Sequence, residues 1–209
     1  MTKILEDRLA LFNTTSLVGG HHDPASDKTG CAMDWAAYLA GEPNSDEPQC
    51  VSPVIRAFVV PMNDRGEAER IALHDLVPRM IGTAGSAKKD RKRAFMCADF
   101  AVRVAAPAAL DTTGLTEQAA ALRALPEIVD MRTAKAAADA AAYASYAAAA
   151  SYAAASSYAA DAAASYYAAS YYAAAAASYA ADAARAAAAA RATKLIEAQA
   201  ALITRMIEA

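Results

Sequence analysis

The C-terminal part of the chain lacks the residues that interrupt helices. From position 132 to the end it contains neither glycine nor proline, and alanine, its dominant residue, has the highest helix propensity of all. Residues 140–160 and 162–181 also lack any charged side chain. The composition therefore predicts continuous helix, either as one rod close to 90 Å long, at about 1.5 Å per residue, or as a hairpin of two helices.

These two uncharged runs also lack leucine, isoleucine, valine and phenylalanine. Each run has roughly the 20 residues needed to cross a bilayer. The serine and tyrosine hydroxyls oppose transfer into hydrocarbon, however, and alanine methyls supply little driving force for insertion. We therefore expect no transmembrane helix and no membrane partner.

Large aromatic residues are scarce outside the alanine-rich stretch. The chain has four phenylalanines and one tryptophan, and nine of its ten tyrosines lie between positions 143 and 179. A modest core is expected, because buried alanine removes little apolar surface from water.

The change in composition along the 209 residues divides the chain into a helical head (1–131), a tract rich in alanine, serine and tyrosine (132–191) and an amphipathic closing helix (192–209).

Cysteine is also rare, and charge is nearly balanced. Three cysteines at spacings without a CxxC pair predict neither a disulfide framework nor a zinc ribbon. The opening residues place acids among too few consecutive apolar residues for a secretory signal, so a cytoplasmic location is expected. A net charge of -3 argues against general attraction to nucleic acid, which depends on neutralising phosphates.

The head carries helix start and stop signals and almost no strand signal, which predicts an all-α fold. Ser52 and Pro53 are typical of a helix start, Gly41 of a helix end, and Asn63 or Asp64 of a second cap. Each proline is expected to end a helix. The predicted helices are 32–40, one from Ser52 that ends before Pro61, one from Asn63 or Asp64 that ends at Pro78, 86–106 closed by Pro107, 115–125 and 127–131.

The last segment has a strong apolar stripe. Its large apolar residues recur at helical spacing, with charged residues off the stripe. Such a helix needs a partner, because the stripe would otherwise be exposed to water. We expect it to dock on the head rather than on another subunit; the stripe comprises Leu195, Ile196, Leu202, Ile203, Met206 and Ile207.

The tyrosines of the tract do not form a coiled-coil seam, because their irregular spacing spreads them around a helix. Helices faced with alanine and serine can approach closely, and flanking tyrosine rings can cover such a contact. This favours lateral association with another copy or with the second half of the tract itself. A simple helical spacer is the alternative, and silk-like stacking of the alanine and serine runs as strands is the least favoured. The tyrosines concerned are Tyr143, Tyr146, Tyr152, Tyr158, Tyr166, Tyr167, Tyr171, Tyr172 and Tyr179.

Histidine and cysteine in the head suggest only weak metal or catalytic sites. His21 and His22 are adjacent, and Cys31 and Cys50 follow along the chain. Adjacent histidines seldom serve one ion, and no second pair completes a tetrahedron, so neither a metal nor a cofactor is expected. A nucleophile pair of Cys31 and His21 lacks a third group to orient it.

A basic cluster follows the segment GTAGS at a predicted helix start. Positive side chains oppose the helix dipole there, and an anion held by free amides and basic groups would explain the placement. The spacing is not that of a P-loop, and a solvated charged face is the simpler interpretation. The candidate anion-binding residues are Ser86, Lys88, Lys89, Arg91, Lys92 and Arg93.

Two stretches of the head, GCAMDWAAYLAGEPNSDEPQCVSPV (30–54) and GLTEQAAALRALPEI (114–128), resemble uncharacterised proteins of bacteria and tailed phages. Those proteins join a similar helical head to an alanine-rich tail and a closing LxxRMIE-like helix, which corresponds here to residues 202–208. The resemblance covers most of the chain, although the tail here is richer in tyrosine and serine. It implies no activity for any residue.

These observations predict a non-enzymatic interaction or assembly protein that forms homo-oligomers or filaments through the tract. A module that sequesters a small anion or nucleotide at the basic cluster is the alternative. An enzyme ranks third, because no spacing of carboxylates, histidines and cysteines demands catalysis.

Overall fold

The computed structural model describes residues 3–112, 114–147 and 192–209, with only the backbone described for 143–147. All regular structure in these ranges is helical, which confirms the all-α prediction. Within the same ranges, no helix is both long enough and apolar enough to span a bilayer.

The described ranges contain the following helices. We number them in chain order, with a π-helical segment, Ala101–Ala105, between α7 and α8. They are α1 Glu6–Phe12, α2 Pro24–Asp27, α3 Ala32–Ala40, α4 Pro53–Arg65, α5 Glu67–His74, α6 Val77–Met80, α7 Ala87–Phe100, α8 Ala106–Thr112, α9 Thr116–Arg123, α10 Met131–Ala147 and α11 Ala192–Glu208.

Helix α3 has the predicted bounds. Cys31 and Asp34 form a reciprocal capping box at its start, in which each side chain accepts from the other residue's backbone N–H. Gly41 ends the helix with φ +75°, a conformation that a side chain would resist. The cap at Ser52, whose Oγ accepts from the Val54 N–H, is also confirmed.

The prediction that α4 ends before Pro61 is wrong. The helix continues through this proline to Arg65, at the cost of one backbone hydrogen bond. Phe58 and Met62, on either side of it, are fully buried, and this burial compensates for the loss.

Asn63 and Asp64 do not cap the next helix, because both lie within α4. Helix α5 instead follows Gly66, without a side-chain cap. It ends at His74 rather than at Pro78. Pro78 lies in the first turn of α6, where no intrahelical partner for its missing N–H is required.

Pro107 does not close the helix that begins after Ser86. The backbone widens into the π-helical segment, where the Ala106 N–H donates to the Ala101 carbonyl, and then continues as α8. Pro107 has no N–H that could donate to the Arg103 carbonyl, and the wider π-helical turn accommodates this missing hydrogen bond. Val104, within the π-helical segment, is exposed.

The short helix predicted at 127–131 is also wrong. The region before α10 is a capping turn, in which the Thr133 N–H donates to Asp130 Oδ1 and the Asp130 N–H donates to Thr133 Oγ1. Helix α10 therefore begins at Met131. The preceding helix, predicted at 115–125, is shorter, spanning Thr116–Arg123.

The hydrophobic core draws on residues from both ends of the chain. Ala134, Ala137 and Ala141 of α10 are buried in it, facing α7, α9 and the π-helical segment. Small side chains permit this close approach. Residues of the compositional head thus share one core with the start of the alanine-rich tract.

The closing helix docks on the head, as expected from its stripe. Helix α11 contacts α4, α5 and α7. Within the predicted stripe, Ile196 and Ile207 are half-buried and pack against the core. The remaining four stripe residues are buried: Leu195, Leu202, Ile203 and Met206.

A buried arginine fastens this helix to the head. Arg93 is only 1% exposed. Its Nε donates to the carbonyl of Met206 at 2.8 Å, and its Nη1 donates to the carbonyl of Thr83 at 2.8 Å and to Asp90 Oδ1 at 2.9 Å. One guanidinium therefore joins α7, the turn before it and α11.

The same network reaches the start of α4. The Ser52 hydroxyl donates to Asp90 Oδ1, and the Ser52 N–H donates to Thr83 Oγ1 at 3.0 Å. Asp90 thus accepts from both Ser52 and Arg93, and its charge is offset by the guanidinium. We name this set, Ser52, Thr83, Asp90, Arg93 and the Met206 carbonyl, the Arg93 network.

Replacing Arg93 with methionine will lower the free energy of unfolding by about 3–5 kcal/mol, because it leaves a half-paired carboxylate and two carbonyls without a donor. Urea denaturation followed by circular dichroism measures this. Arg91→Ala, an exposed neighbour on the same helix, should change stability by no more than about 0.5 kcal/mol. Equal losses in the two variants would contradict the role assigned to Arg93.

Candidate functional site

Both ends of the alanine-rich tract are attached to the same helical body. Helices α10 and α11, which precede and follow residues 148–191, both contact α7. Helix α7 has 14 residues and is therefore about 21 Å long. The choice between a straight rod and a hairpin concerns residues 148–191, which lie outside the described residues.

The tyrosines proposed for interaction lie almost entirely beyond this attachment. Tyr143 and Tyr146 are in the helical backbone of α10, and their side chains are outside the described part. The other seven lie outside the described residues: Tyr152, Tyr158, Tyr166, Tyr167, Tyr171, Tyr172 and Tyr179.

The basic cluster is divided by the fold. Ser86 caps α7, with its Oγ accepting from the Lys89 N–H, which occupies one of the amides predicted to hold an anion. Arg93 turns inward into the Arg93 network and is not available to a ligand. The four cations that remain exposed are Lys88, Lys89, Arg91 and Lys92.

These four side chains form no ion pair with any residue in the described ranges. Asp90, the acid among them in sequence, is committed to Ser52 and Arg93. The surface of the first turns of α7 is therefore locally positive, although the whole chain carries a net charge of -3.

A second cluster forms around Asp34, which sequence reasoning did not single out. Its fully buried carboxylate accepts from the His21 Nδ1 at 2.5 Å, from the His22 N–H at 3.0 Å and from the Cys31 N–H at 2.9 Å. Asp34 thereby fastens the loop between α1 and α3 to the start of α3. The spacing Cys31-x-x-Asp34, a variant of the capping box, was the available sequence signal.

Asn63 fixes the same loop from α4. Its Oδ1 accepts from the Ala32 N–H at 3.1 Å, and its Nδ2 donates to the Val18 carbonyl at 2.9 Å. The neighbouring Asp64 accepts from the Gly20 N–H at 3.0 Å. The loop is therefore held on one side by α3 and on the other by α4.

Comparison with family models, curated proteins and solved structures found no match to this chain. The similarity to alanine-rich proteins of bacteria and phages therefore remains a prediction. The assignment of function depends on the geometry described here.

The weak metal candidates are not brought together. His22 Nε2 lies 3.2 Å from the Gly19 carbonyl, and the Cys50 thiol faces the Ala36 carbonyl. Cys31 and His21 are engaged with Asp34 instead. In the described part of the chain, no group of three or more potential ligand residues could hold a metal ion.

Asp34 supplies the third orienting group that the pairing of Cys31 and His21 lacked in the sequence. The thiol, however, is not activated. Burial raises the pKa of Cys31 to about 12, and the nearby Asp34 carboxylate adds to this effect. A thiol with such a pKa stays protonated at neutral pH and is a poor nucleophile.

A cavity of about 180 Å³ opens beside this cluster. It lies between the loop from Val18 to His22, the first turn of α3 and the middle of α4. Its residues are Gly20, His21, Cys31, Ala32, Met33, Asp46, Val59, Val60, Asn63 and Asp64.

All three cysteines should be unreactive in the folded protein. They are buried and unpaired, and burial raises the pKa of Cys31 and Cys50 to about 12 and that of Cys97 further still. At pH 8 we expect almost no reaction with a thiol-specific chromogenic disulfide in buffer and three thiols per chain in denaturant. One thiol that reacts in buffer as fast as in denaturant would contradict this arrangement.

Proposed function

We propose that the protein is a non-enzymatic interaction protein whose helical body displays the alanine- and tyrosine-rich tract for self-association. The observation that carries this proposal is the attachment of both flanking helices, α10 and α11, to α7. A segment held at both ends by one folded body is presented as a single unit.

The body itself offers little apolar surface for association. Its core is filled by its own side chains, including those of α11. The large hydrophobic residues exposed in the described ranges are Ile71, Val104, Val129 and Met131. Isolated residues of this kind are normal on a soluble protein, so association falls to the tract.

The composition of the tract supports self-association over a simple spacer. A helix clad in methyl groups gains little from burial against its own chain and is weakly stabilised alone. Close packing with a second copy would add dispersion contacts, and tyrosine rings would cover the contact. The three buried, unpaired thiols also suit a reducing compartment such as the cytoplasm.

Size-exclusion chromatography with light scattering tests the proposal on the full chain. We expect particles of two or more 21.6 kDa subunits. Replacing all nine tract tyrosines with glutamine retains helix propensity and removes the rings, so it should reduce the particle to one subunit. The matched control is Ile71→Ser, which removes the most exposed large apolar side chain of the described body and should leave the mass unchanged.

Two outcomes would contradict self-association through the tract. One is a full chain with a single subunit per particle at all concentrations. The other is that Ile71→Ser loses association while the tyrosine variant retains it, which would place the contact on the body.

A second candidate is binding of a small anion or nucleotide at Lys88, Lys89, Arg91 and Lys92. Their exposure, without an ion pair to the described residues, favours it. Because Arg93 points inward, the predicted cluster is reduced to these four residues. They present three ammonium groups and one guanidinium on the surface.

Thermal unfolding with adenosine triphosphate or inorganic phosphate tests the second candidate. Binding should raise Tm by roughly 2–4 °C at saturating ligand, and the double variant Arg91→Ala, Lys92→Ala should abolish the increase. Lys135→Ala, an exposed cation on α10, is the control. An unchanged Tm with every anion would exclude this candidate.

A further inference from the structure

The cavity beside Asp34 is large enough to hold more than ordered water. Its volume of about 180 Å³ is far above the roughly 10–15 Å³ that one water molecule requires. Part of its lining is apolar and belongs to rigid helices, namely Ala32 and Met33 of α3 and Val59 and Val60 of α4. Such a lining favours a ligand with a short hydrocarbon portion.

Three of the backbone donors around the cavity are already used. The Gly20 N–H donates to Asp64, the Ala32 N–H to Asn63 and the Cys31 N–H to Asp34. The Asn63 amide donates to the Val18 carbonyl. These donors are therefore not available to an anionic ligand, and neither lysine nor arginine is among the lining residues.

The polar groups that remain are acceptors. With Nδ1 donating to the buried Asp34 carboxylate, the neutral His21 ring has its lone pair on Nε2. Asp46 and Asp64, both exposed carboxylates, line the same cavity. Asp64 Oδ1 accepts from Gly20 and Asn63, which fixes the orientation of this carboxylate.

His21 is a built part of this site and not a mobile surface residue. Its side chain is 50% exposed, while its partner Asp34 is 0% exposed. A buried carboxylate that fixes one ring nitrogen also fixes the direction of the other. The cavity thus combines an oriented imidazole ring, two carboxylates and a partly apolar lining.

We propose that this cavity binds a small primary ammonium compound with a short alkyl chain. The ammonium group has three donors and no acceptor, which complements His21 Nε2 and the carboxylates of Asp46 and Asp64. The alkyl portion contacts Val60, which is the partly exposed member of this apolar lining, in front of the buried Met33 and Val59. A metal ion is the poorer match, since no set of three ligand residues forms among the described residues.

The same chemistry has two sources, a free alkylamine and the side chain of a lysine in a partner protein. The site shares no residue with the tract or with the Arg93 network. It therefore stands or fails independently of self-association.

Titration of the full chain with n-butylammonium, followed by ¹H–¹⁵N correlation spectra, tests the proposal. We expect saturable shifts of the Gly20, His21 and Ala32 amides. Comparison titrations use n-butanol, which has the same chain without the charge, and inorganic phosphate. Nα-acetyl-lysine methylamide distinguishes the sources: tighter binding than n-butylammonium identifies a lysine side chain, and weaker binding identifies a free amine.

Asp64→Asn retains an oxygen for the Gly20 N–H and removes the charge. It should weaken n-butylammonium binding about tenfold, as expected when one charged hydrogen bond is replaced by a neutral one. Asp75→Asn, a fully exposed carboxylate that does not line the cavity, is the matched control. Asp46→Asn, in the loop before α4, provides a second test if Asp64→Asn does not fold.

Equal binding of n-butanol and n-butylammonium would overturn the proposal, as would preferential binding of phosphate. Affinities in Asp64→Asn or Asp46→Asn equal to that in Asp75→Asn would do the same. Absence of any saturable shift up to millimolar concentrations would also exclude the site.

Discussion

The hydrogen bonds of one buried guanidinium determine how the ends of this chain are joined. Arg93 donates to the carbonyls of Thr83 and Met206 and to the Asp90 carboxylate, and Asp90 also accepts from Ser52. Lysine could not replace it, because only the planar guanidinium reaches several acceptors in fixed directions. Met206, in the last helix, lies 113 residues after Arg93. Through these hydrogen bonds the last helix completes the core of the head.

Docking of the last helix on the head changes the interpretation of the alanine-rich tract. A terminal tail would extend from the head, whereas a segment bounded by α10 and α11 is held at both ends against α7. The low charge of the tract and its lack of large aliphatic residues are the basis of the proposed self-association. Under the proposed function, the tract provides the surface that associates while the body remains the same.

The loop between α1 and α3 shows a second use of buried charge. Asp34 accepts three hydrogen bonds from residues that are 3 to 13 positions away, and Asn63 adds two from α4. Several backbone N–H donors near the cavity are therefore occupied, whereas the carboxylates of Asp46 and Asp64 line it. The same interactions that hold the loop therefore also set the polarity of the adjacent cavity.

Local signals in the sequence determined the helical class, the ends of α3, the start at Ser52 and the docking stripe of α11, because propensity, capping and periodicity act over a few residues. Pro61 and Pro107 were misjudged, since burial of Phe58 and Met62 and a π-helical turn offset their local cost. The inward turn of Arg93 and the triple role of Asp34 were decided only by tertiary structure. A charged side chain can be buried only when it has hydrogen-bond partners, and these can come from distant segments, as Met206 does for Arg93. Local sequence spacing does not predict such long-range contacts.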